Sequence, residues 1–576
     1  MELATGFESI SRDGWRALAV EVLRKSGIET EEPEEALSTA TYDGVTVAPL
    51  YDLDDLPGDP GLPGEAPYVR GARGTPGWEV RQRHAVADPE AVLADLENGV
   101  TSLWLVVGDS AIPVDALGAV LKDVYLDLAP VVLEAGDRVR EAAEVLFGRG
   151  SAVRGNLGAS AVGGPGLELA RRCVDGFPGL RAITVDATPY HDAGGSDAEE
   201  LGCSIAQGVA ELRALTDGGL SVEQALGQIE FRYAATADQF ATIAKLRAAR
   251  RLWARVAEVC GAAGHGGQRQ HAVTGSAMMT ARDPWVNMLR TTLACFAAGV
   301  GGAEAVTVQP FDACLGLPDA FSRRIARNTQ ALLLEESGLG RVIDPAGGSW
   351  YVERRTADLA ERAWAWFQEI EAAGGITRAA GLVADRIAAT RARRADDVAH
   401  RRLPITGVSE FPNVHEKPVR PPTPAQAASE TGGLPRVRYA EEFEALRDLA
   451  DARPERPTVF LATIGPVAAH TARAAFAANL FQAGGLDTET AGPGADPEQI
   501  ATAFAVSGAS VACLCSTDKL YAQHAAAVAT ALRKAGARKV WLAGKGEYEG
   551  VDGNLYAGCD ALAVLRETFD DLEVTR

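Results

Sequence analysis

From residue 102 onward the chain alternates short apolar runs with longer stretches of helical periodicity. Residues 102–107, 129–133, 182–186 and 305–308 carry almost no polar side chains, the pattern of strands buried on both faces of a parallel sheet. Between them, residues 197–217 and 237–260 repeat their apolar positions at helical spacing. Parallel strands need a crossover between neighbours, and helices of this length supply it. The fold class is therefore α/β, with an α/β barrel as the first expectation and a doubly wound open sheet as the second.

The alternation restarts after Pro457: strands at 458–463, 486–490, 510–515 and 539–542 are separated by helices beginning near Pro497, Ala522 and Ala561. About five short strands with intervening helices in the last segment predict a flavodoxin-like doubly wound domain. Joining the two α/β regions is a long charged helical pattern from Ala357 to about Arg402, then a segment from Pro404 to Pro435 rich in Pro, Ser, Thr and Ala that reads as an extended linker. At the other end, residues 12–25 place Trp15, Leu18, Val22 and Leu23 on one helical face. That face needs a cover, either the chain's own barrel or another subunit. The expected division is an arm at 1–45, a barrel at 46–355, a helical and Pro-rich linker at 356–456 and an α/β domain at 457–576.

The net charge of −22, from 56 basic and 78 acidic residues, argues against nucleic acid and anionic membranes as partners, because both select basic surfaces. A local arginine cluster would still allow an anionic thioester. Among the eight cysteines only Cys513 and Cys515 are close, and a C-x-C pair on an apolar strand lacks the spacing of a zinc or redox site. No metal is expected, and reduced structural thiols favour the cytoplasm. The first residues lack the basic-then-apolar pattern of a signal peptide.

Five blocks in the middle of the chain carry a family likeness: Pro189-Tyr190-His191-Asp192-Ala193-Gly194; Ala244-Lys245-Leu246-Arg247-Ala248-Ala249-Arg250-Arg251-Leu252-Trp253; residues 281–292, which include Asp283-Pro284-Trp285-Val286-Asn287; Ala326-Arg327-Asn328-Thr329-Gln330; and residues 342–353, which include Asp344-Pro345-Ala346-Gly347-Gly348. In this order they resemble the adenosylcobalamin-dependent acyl-CoA mutases, methylmalonyl-CoA mutases in particular. The resemblance runs from about Val45 to the C-terminus. It implies a (β/α)8 TIM barrel followed by a cobalamin-binding-type α/β domain.

What distinguishes this chain is the loss of the family's reactive groups. Catalytic members carry Asp-x-His-x-x-Gly after the first strand of the cobalamin domain, where His ligates cobalt and Asp holds its other ring nitrogen. Here the turn reads Thr463-Ile464-Gly465-Pro466-Val467-Ala468-Ala469-His470; the Asp and Gly are gone, and His470 falls one residue late and reads as an exposed or capping residue near a helix N-terminus. Ser516-Thr517-Asp518-Lys519 and Ala543-Gly544-Lys545-Gly546-Glu547 replace small residues with bulk and charge where the cofactor's tail would enter.

Around the substrate, Trp78, Arg81 and Gln82 survive in what reads as a loop, but the upstream Tyr is absent. The family's Thr-Ile-Gln-Asn-Asp has no counterpart in the Gly- and Ala-rich loop at 155–179. Arg81 and Gln82 remain as candidate substrate-binding residues, and His191 as the relic of the catalytic group. His84, His265, His271 and His524 show no ligand spacing.

The resemblance thus implies a chain with no catalytic residue and no cofactor of its own, partnered in a heterodimer with a large catalytic methylmalonyl-CoA mutase subunit that carries adenosylcobalamin. Its barrel should be filled by side chains. The alternative is an autonomous, cobalamin-free protein that binds a CoA ester.

Overall fold

The computed structural model describes residues 10–421, 423–424 and 433–573. Residues 1–9, part of the Pro-rich segment at 422 and 425–432, and residues 574–576 therefore lie outside the described residues.

Eight parallel strands close into a barrel: β1 (Glu79–His84), β2 (Ser102–Val106), β3 (Val131–Glu134), β4 (Gly155–Ala159), β5 (Leu180–Asp186), β6 (Ile229–Ala235), β7 (Arg269–Thr274) and β8 (Ala305–Thr307). Closure is made by β8 against β1, with Ala305 paired to Glu79 and Val306 to Val80. Side chains alternate across each strand. Leu103 and Leu105 of β2 face the surrounding helices, in one core shared with Val131, Leu133, Ile183, Val185 and Phe231, whereas Trp104 turns into the lumen with Val132 and Val273.

Two strands contradict the sequence reading. The stretch at 155–179, expected to be a loop, forms β4 and the helix Gly166–Gly176. Its glycines are there for close approach: a Cβ at Gly155 would lie 1.8 Å from the Val131 carbonyl oxygen, and one at Gly158 2.0 Å from that of Leu133. The segment around Arg81 and Gln82, also read as a loop, is β1.

The helices Asp197–Asp217 and Gln239–Val259 form where the periodicity placed them. Ser196 and Glu199 make a capping box at the start of the first, and Asp238 accepts from the Ala241 N–H at the start of the second. The charged stretch after the barrel is two helices, Trp350–Ala372 and Ala380–Ala399, separated at Gly374 and Gly375.

In the C-terminal domain five parallel strands run in the order β10-β9-β11-β12-β13, with β9 (Thr458–Thr463), β10 (Asp487–Thr490), β11 (Val511–Cys515), β12 (Lys539–Ala543) and β13 (Gly553–Leu555). This is the flavodoxin-like doubly wound order. The connector binds the two regions together: Val398, Ile405 and Val408 enter the apolar core of the C-terminal domain. Further on, the Val437 N–H donates to Asp192 O at 2.9 Å and the Tyr439 N–H to Ala277 O at 2.9 Å, laying a strap over the loops after β5 and β7.

On the N-terminal helix Arg12–Lys25, Leu23 is buried but Leu18 and Val22 are exposed. Among the described residues no helix is long and apolar enough to cross a membrane.

Candidate functional site

Two layers of side chains fill the barrel. At the N-terminal ends of the strands, Arg81 is fully buried: its Nε donates to Ser102 Oγ at 3.0 Å, Nη1 to Glu230 Oε1 at 2.8 Å and Nη2 to Glu79 Oε2 at 3.0 Å. Arg269 completes the set, 2.7 Å from Glu79 and 3.1 Å from Glu230. Burial alone would raise the Glu230 carboxyl; Arg81 and Arg269 outweigh it and hold it at about 2.

One turn of side chains higher, the Trp104 ring has the Arg232 guanidinium 4.1 Å and the Arg83 guanidinium 5.1 Å from its centroid. Arg232 Nε donates to His271 Nδ1 at 3.2 Å, and His271 Nε2 lies 2.8 Å from Thr307 Oγ1. Above this plug, at the C-terminal ends of the strands where barrel enzymes place their sites, a cavity of about 510 Å³ remains, lined in part by Glu134, Thr184, Asp186, Tyr190 and Arg232, with Leu434 reaching it from the strap.

The structure separates the two residues expected to bind substrate. Arg81 lies at the barrel floor with its donors taken by protein oxygens. Gln82 sits on the opposite face of β1, alongside Val80 of the helix-facing core and His84, whose Nε2 is 3.3 Å from Asp95. Its Oε1 is buried without a hydrogen-bond partner.

His191, on the short helix Thr188–Asp192 after β5, is only 3% exposed, and neither ring nitrogen has a hydrogen-bond partner. Burial, reinforced by the Lys245 charge, pulls its pKa down to about 3, so the ring is neutral. Sequence reasoning passed over the groups beside it. Lys245 Nζ lies 2.8 Å from Asp197 Oδ1 and 2.7 Å from Glu200 Oε2, with Lys245 and Glu200 fully buried and Asp197 half-buried. His191, Asp197 and Glu200 are spaced to hold a metal ion, but the Lys245 ammonium already stands between the two carboxylates. The legible signal was a lysine inside an otherwise apolar helical face.

Lys245 belongs to one of the five resemblance blocks, and its neighbours there explain what those blocks do. Arg247 pairs with Asp344 and with Glu353, the latter at 2.5 Å, both in the block at 342–353. Arg250 donates to the carbonyls of Tyr68 and Gly301 at 2.9 and 2.7 Å. Trp78 Nε1 donates to Gln330 of a third block at 3.0 Å. These residues lock the outer helices to the barrel.

In the C-terminal domain His470 is not exposed, as its position suggested, but 9% accessible, with both ring nitrogens lacking a partner. It lies in the first turn of the helix Val467–Ala483, which follows Pro466 and has no side-chain cap. A cobalt-ligating imidazole needs its second nitrogen fixed by an acceptor, and here none reaches it.

The crevice beside His470 is bridged as well. Ser516 Oγ donates to Ile464 O at 2.7 Å, tying the ends of β9 and β11 together at the topological switch point. Tyr521 fills the space between β11 and β12: its hydroxyl accepts from the Ser516 N–H at 2.7 Å and lies 3.0 Å from Leu514 O and 2.8 Å from Ala543 O. Arg473 then lies over the Tyr521 ring and pairs with Asp518 at 2.7 Å. The residues present do not fit a corrinoid with its tail inserted between the strands.

A side-chain-filled parallel barrel carrying a doubly wound domain of 2-1-3-4-5 order defines a two-domain protein of the acyl-CoA mutase class. The chain belongs to the methylmalonyl-CoA mutase family, whose profile matches residues 167–463. It is 57% identical, over its full length and 98% of the relative, to a methylmalonyl-CoA mutase small subunit of Streptomyces virginiae. It is 47% identical over 92% of both chains to a probable methylmalonyl-CoA mutase small subunit of Mycobacterium bovis. With the methylmalonyl-CoA mutase small subunit of Propionibacterium freudenreichii subsp. shermanii it shares 38% identity over 100% of this chain and 97% of that one.

Proposed function

We propose that this chain is the non-catalytic small subunit of a heterodimeric methylmalonyl-CoA mutase. A large subunit carries adenosylcobalamin and interconverts (R)-methylmalonyl-CoA and succinyl-CoA; this chain supports it and binds no cofactor. The observation that carries the reading is the Trp104 ring in the lumen with the Arg83 and Arg232 guanidiniums 5.1 and 4.1 Å from its centroid, side chains that stand where a substrate arm would run along the barrel axis. The closed crevice around Tyr521 supports the absence of a cofactor. His191 is a relic in a neutral, buried setting, and Arg81 and Gln82 act in the fold. The eight cysteines are all free thiols, in keeping with residence in the reducing cytoplasm.

The autonomous CoA-ester reading draws on the cavity of about 510 Å³ at the barrel mouth, but the plug beneath it separates that cavity from the barrel floor. The deciding experiment purifies this chain alone and together with a large subunit, then records the cobalamin absorbance spectrum and methylmalonyl-CoA isomerisation of each. Cobalamin and turnover in the complex, with neither in the isolated chain, is the expected result. Cobalamin binding or turnover by the chain alone overturns the proposal.

A further inference from the structure

The helix Val286–Val300, between β7 and β8 on the outside of the barrel, has no charged face turned to water. A surface helix ordinarily presents one, as the adjoining helix Gln239–Val259 does with Arg251, Arg255 and Glu258. Of residues 285–300 only Trp285, Leu289 and Leu293 are exposed, at 49%, 66% and 43%, and their four-residue spacing sets them along one line. Arg290, the helix's one charged residue, is engaged with Thr280, Asn287 and the Thr406 carbonyl.

Apolar contacts continue the line at both ends. Trp285 stacks on the buried Phe311 with ring centroids 4.9 Å apart, and Phe311 meets the half-exposed Phe321 edge-on at 6.1 Å. Beyond Leu293, Phe296 and Tyr351 pack on one buried cluster, and the half-exposed Phe240 meets the Tyr351 ring at 5.2 Å. Trp350, next to Tyr351 in sequence, is half-exposed as well. Exposed apolar surface of this extent, rich in aromatic rings and without charge at its centre, is the composition of an interface core.

Charge and sequence narrow what covers it. Two copies of a chain of net charge −22 repel each other. Residues 422 and 425–432 hold no Val, Leu, Ile, Met or aromatic side chain with which to fill such a face.

We propose that the large subunit docks on this face, with Trp285, Leu289 and Leu293 at the centre of the contact. The inference rests on the subunit reading above and adds to it the surface that does the binding. With no charge along the line, ion pairing has no part at the centre. Contact is made by apolar packing around an aromatic anchor, Trp285, and the partner presents an uncharged patch in return.

Leu289→Glu places a carboxylate at the centre of the face while leaving the buried core intact. The dissociation constant of its complex with the large subunit, from sedimentation velocity, should rise at least about tenfold over that of the unchanged chain, as for loss of a central contact. Val259→Glu, the same kind of change at an exposed apolar residue at the far end of Gln239–Val259, should leave the constant unaltered. As a second readout, the thiol of a Leu289→Cys variant should react freely with a maleimide in the isolated full chain and be protected in the complex. Equal affinity in Leu289→Glu and the unchanged chain overturns the inference and leaves the subunit reading standing. No complex with the unchanged chain overturns both. Protection of the thiol already in the isolated chain overturns the inference too, assigning the face to the N-terminal residues in a monomer or to a second copy in a dimer.

Discussion

Arg81 Nη1 lies 2.8 Å from Glu230 Oε1 across the barrel floor, with both side chains nearly inaccessible to solvent. Removing one partner leaves the other charge buried without full compensation, which typically destabilises by about 3–5 kcal/mol. Arg81→Met should therefore lower the chain's stability by about that much, read from the urea midpoint. Arg81→Met combined with Glu230→Met should recover part of the loss. In the reconstituted complex the single variant should reduce activity only in proportion to the folded small subunit. A fall in kcat of fully folded complex would place Arg81 in the chemistry.

The neutral His191 predicts a pH dependence. Its folded pKa of about 3 lies below the ordinary histidine value of about 6.5, so the unfolded chain takes up the proton first. Stability from this site is fully present above pH 6.5 and is lost as pH falls from there towards 3. Between pH 7.5 and 5 the native chain should lose about 2 kcal/mol more than His191→Gln, the equivalent of one proton over 1.5 pH units. Parallel stability curves for the two proteins would mean that the imidazole is protonated in the fold.

Tyr521→Phe isolates the hydroxyl that closes the C-terminal crevice. The Ser516 N–H loses its acceptor, and the Leu514 and Ala543 carbonyls lose the one hydroxyl proton between them, in a buried place. A loss of about 1–3 kcal/mol is expected from thermal or urea unfolding. Cobalamin absorbance of the isolated variant should stay at background, because Ser516 still bridges to Ile464. Corrinoid uptake by the variant would show that the hydroxyl alone had been the barrier.

Trp104→Ala should destabilise the chain by about 3–5 kcal/mol through the cavity left in the lumen. It should not confer binding of CoA, because Arg83, Arg232 and His271 remain across the axis. Equilibrium dialysis with CoA tests this directly.

The same structural facts explain what the sequence revealed. Strands β2, β3, β5 and β8 were legible because strands covered by helices are continuous apolar runs. β1 was not: its lumen-facing positions are Glu79, Arg81 and Arg83, and the partners that neutralise Arg81 and Glu79 lie 149 and 190 residues away at Glu230 and Arg269. β4 was hidden because Gly155 and Gly158 yield their side chains to the approach of β3. The final strand, Gly553–Leu555, spans three residues, too few for a periodic signal.

At the candidate site, missing motifs were readable by comparison with the family pattern. The burial of His470, in a helix whose alanines give no strong polarity to any face, was not. Nor was the pairing of Lys245 with Asp197 and Glu200, which only the packing of two helices brings together.

The Trp104 plug also bears on history. Arg83 and Arg232 rest on its ring, Arg232 holds His271, and His271 holds Thr307, so each member supports the next. Reopening the barrel would require coordinated replacement on β1, β2, β6 and β7, with every single step leaving an unsupported charge or a void. Such interlocking works as an evolutionary ratchet: once these contacts had formed, a return to a hollow barrel was closed to any path made of individually tolerated substitutions.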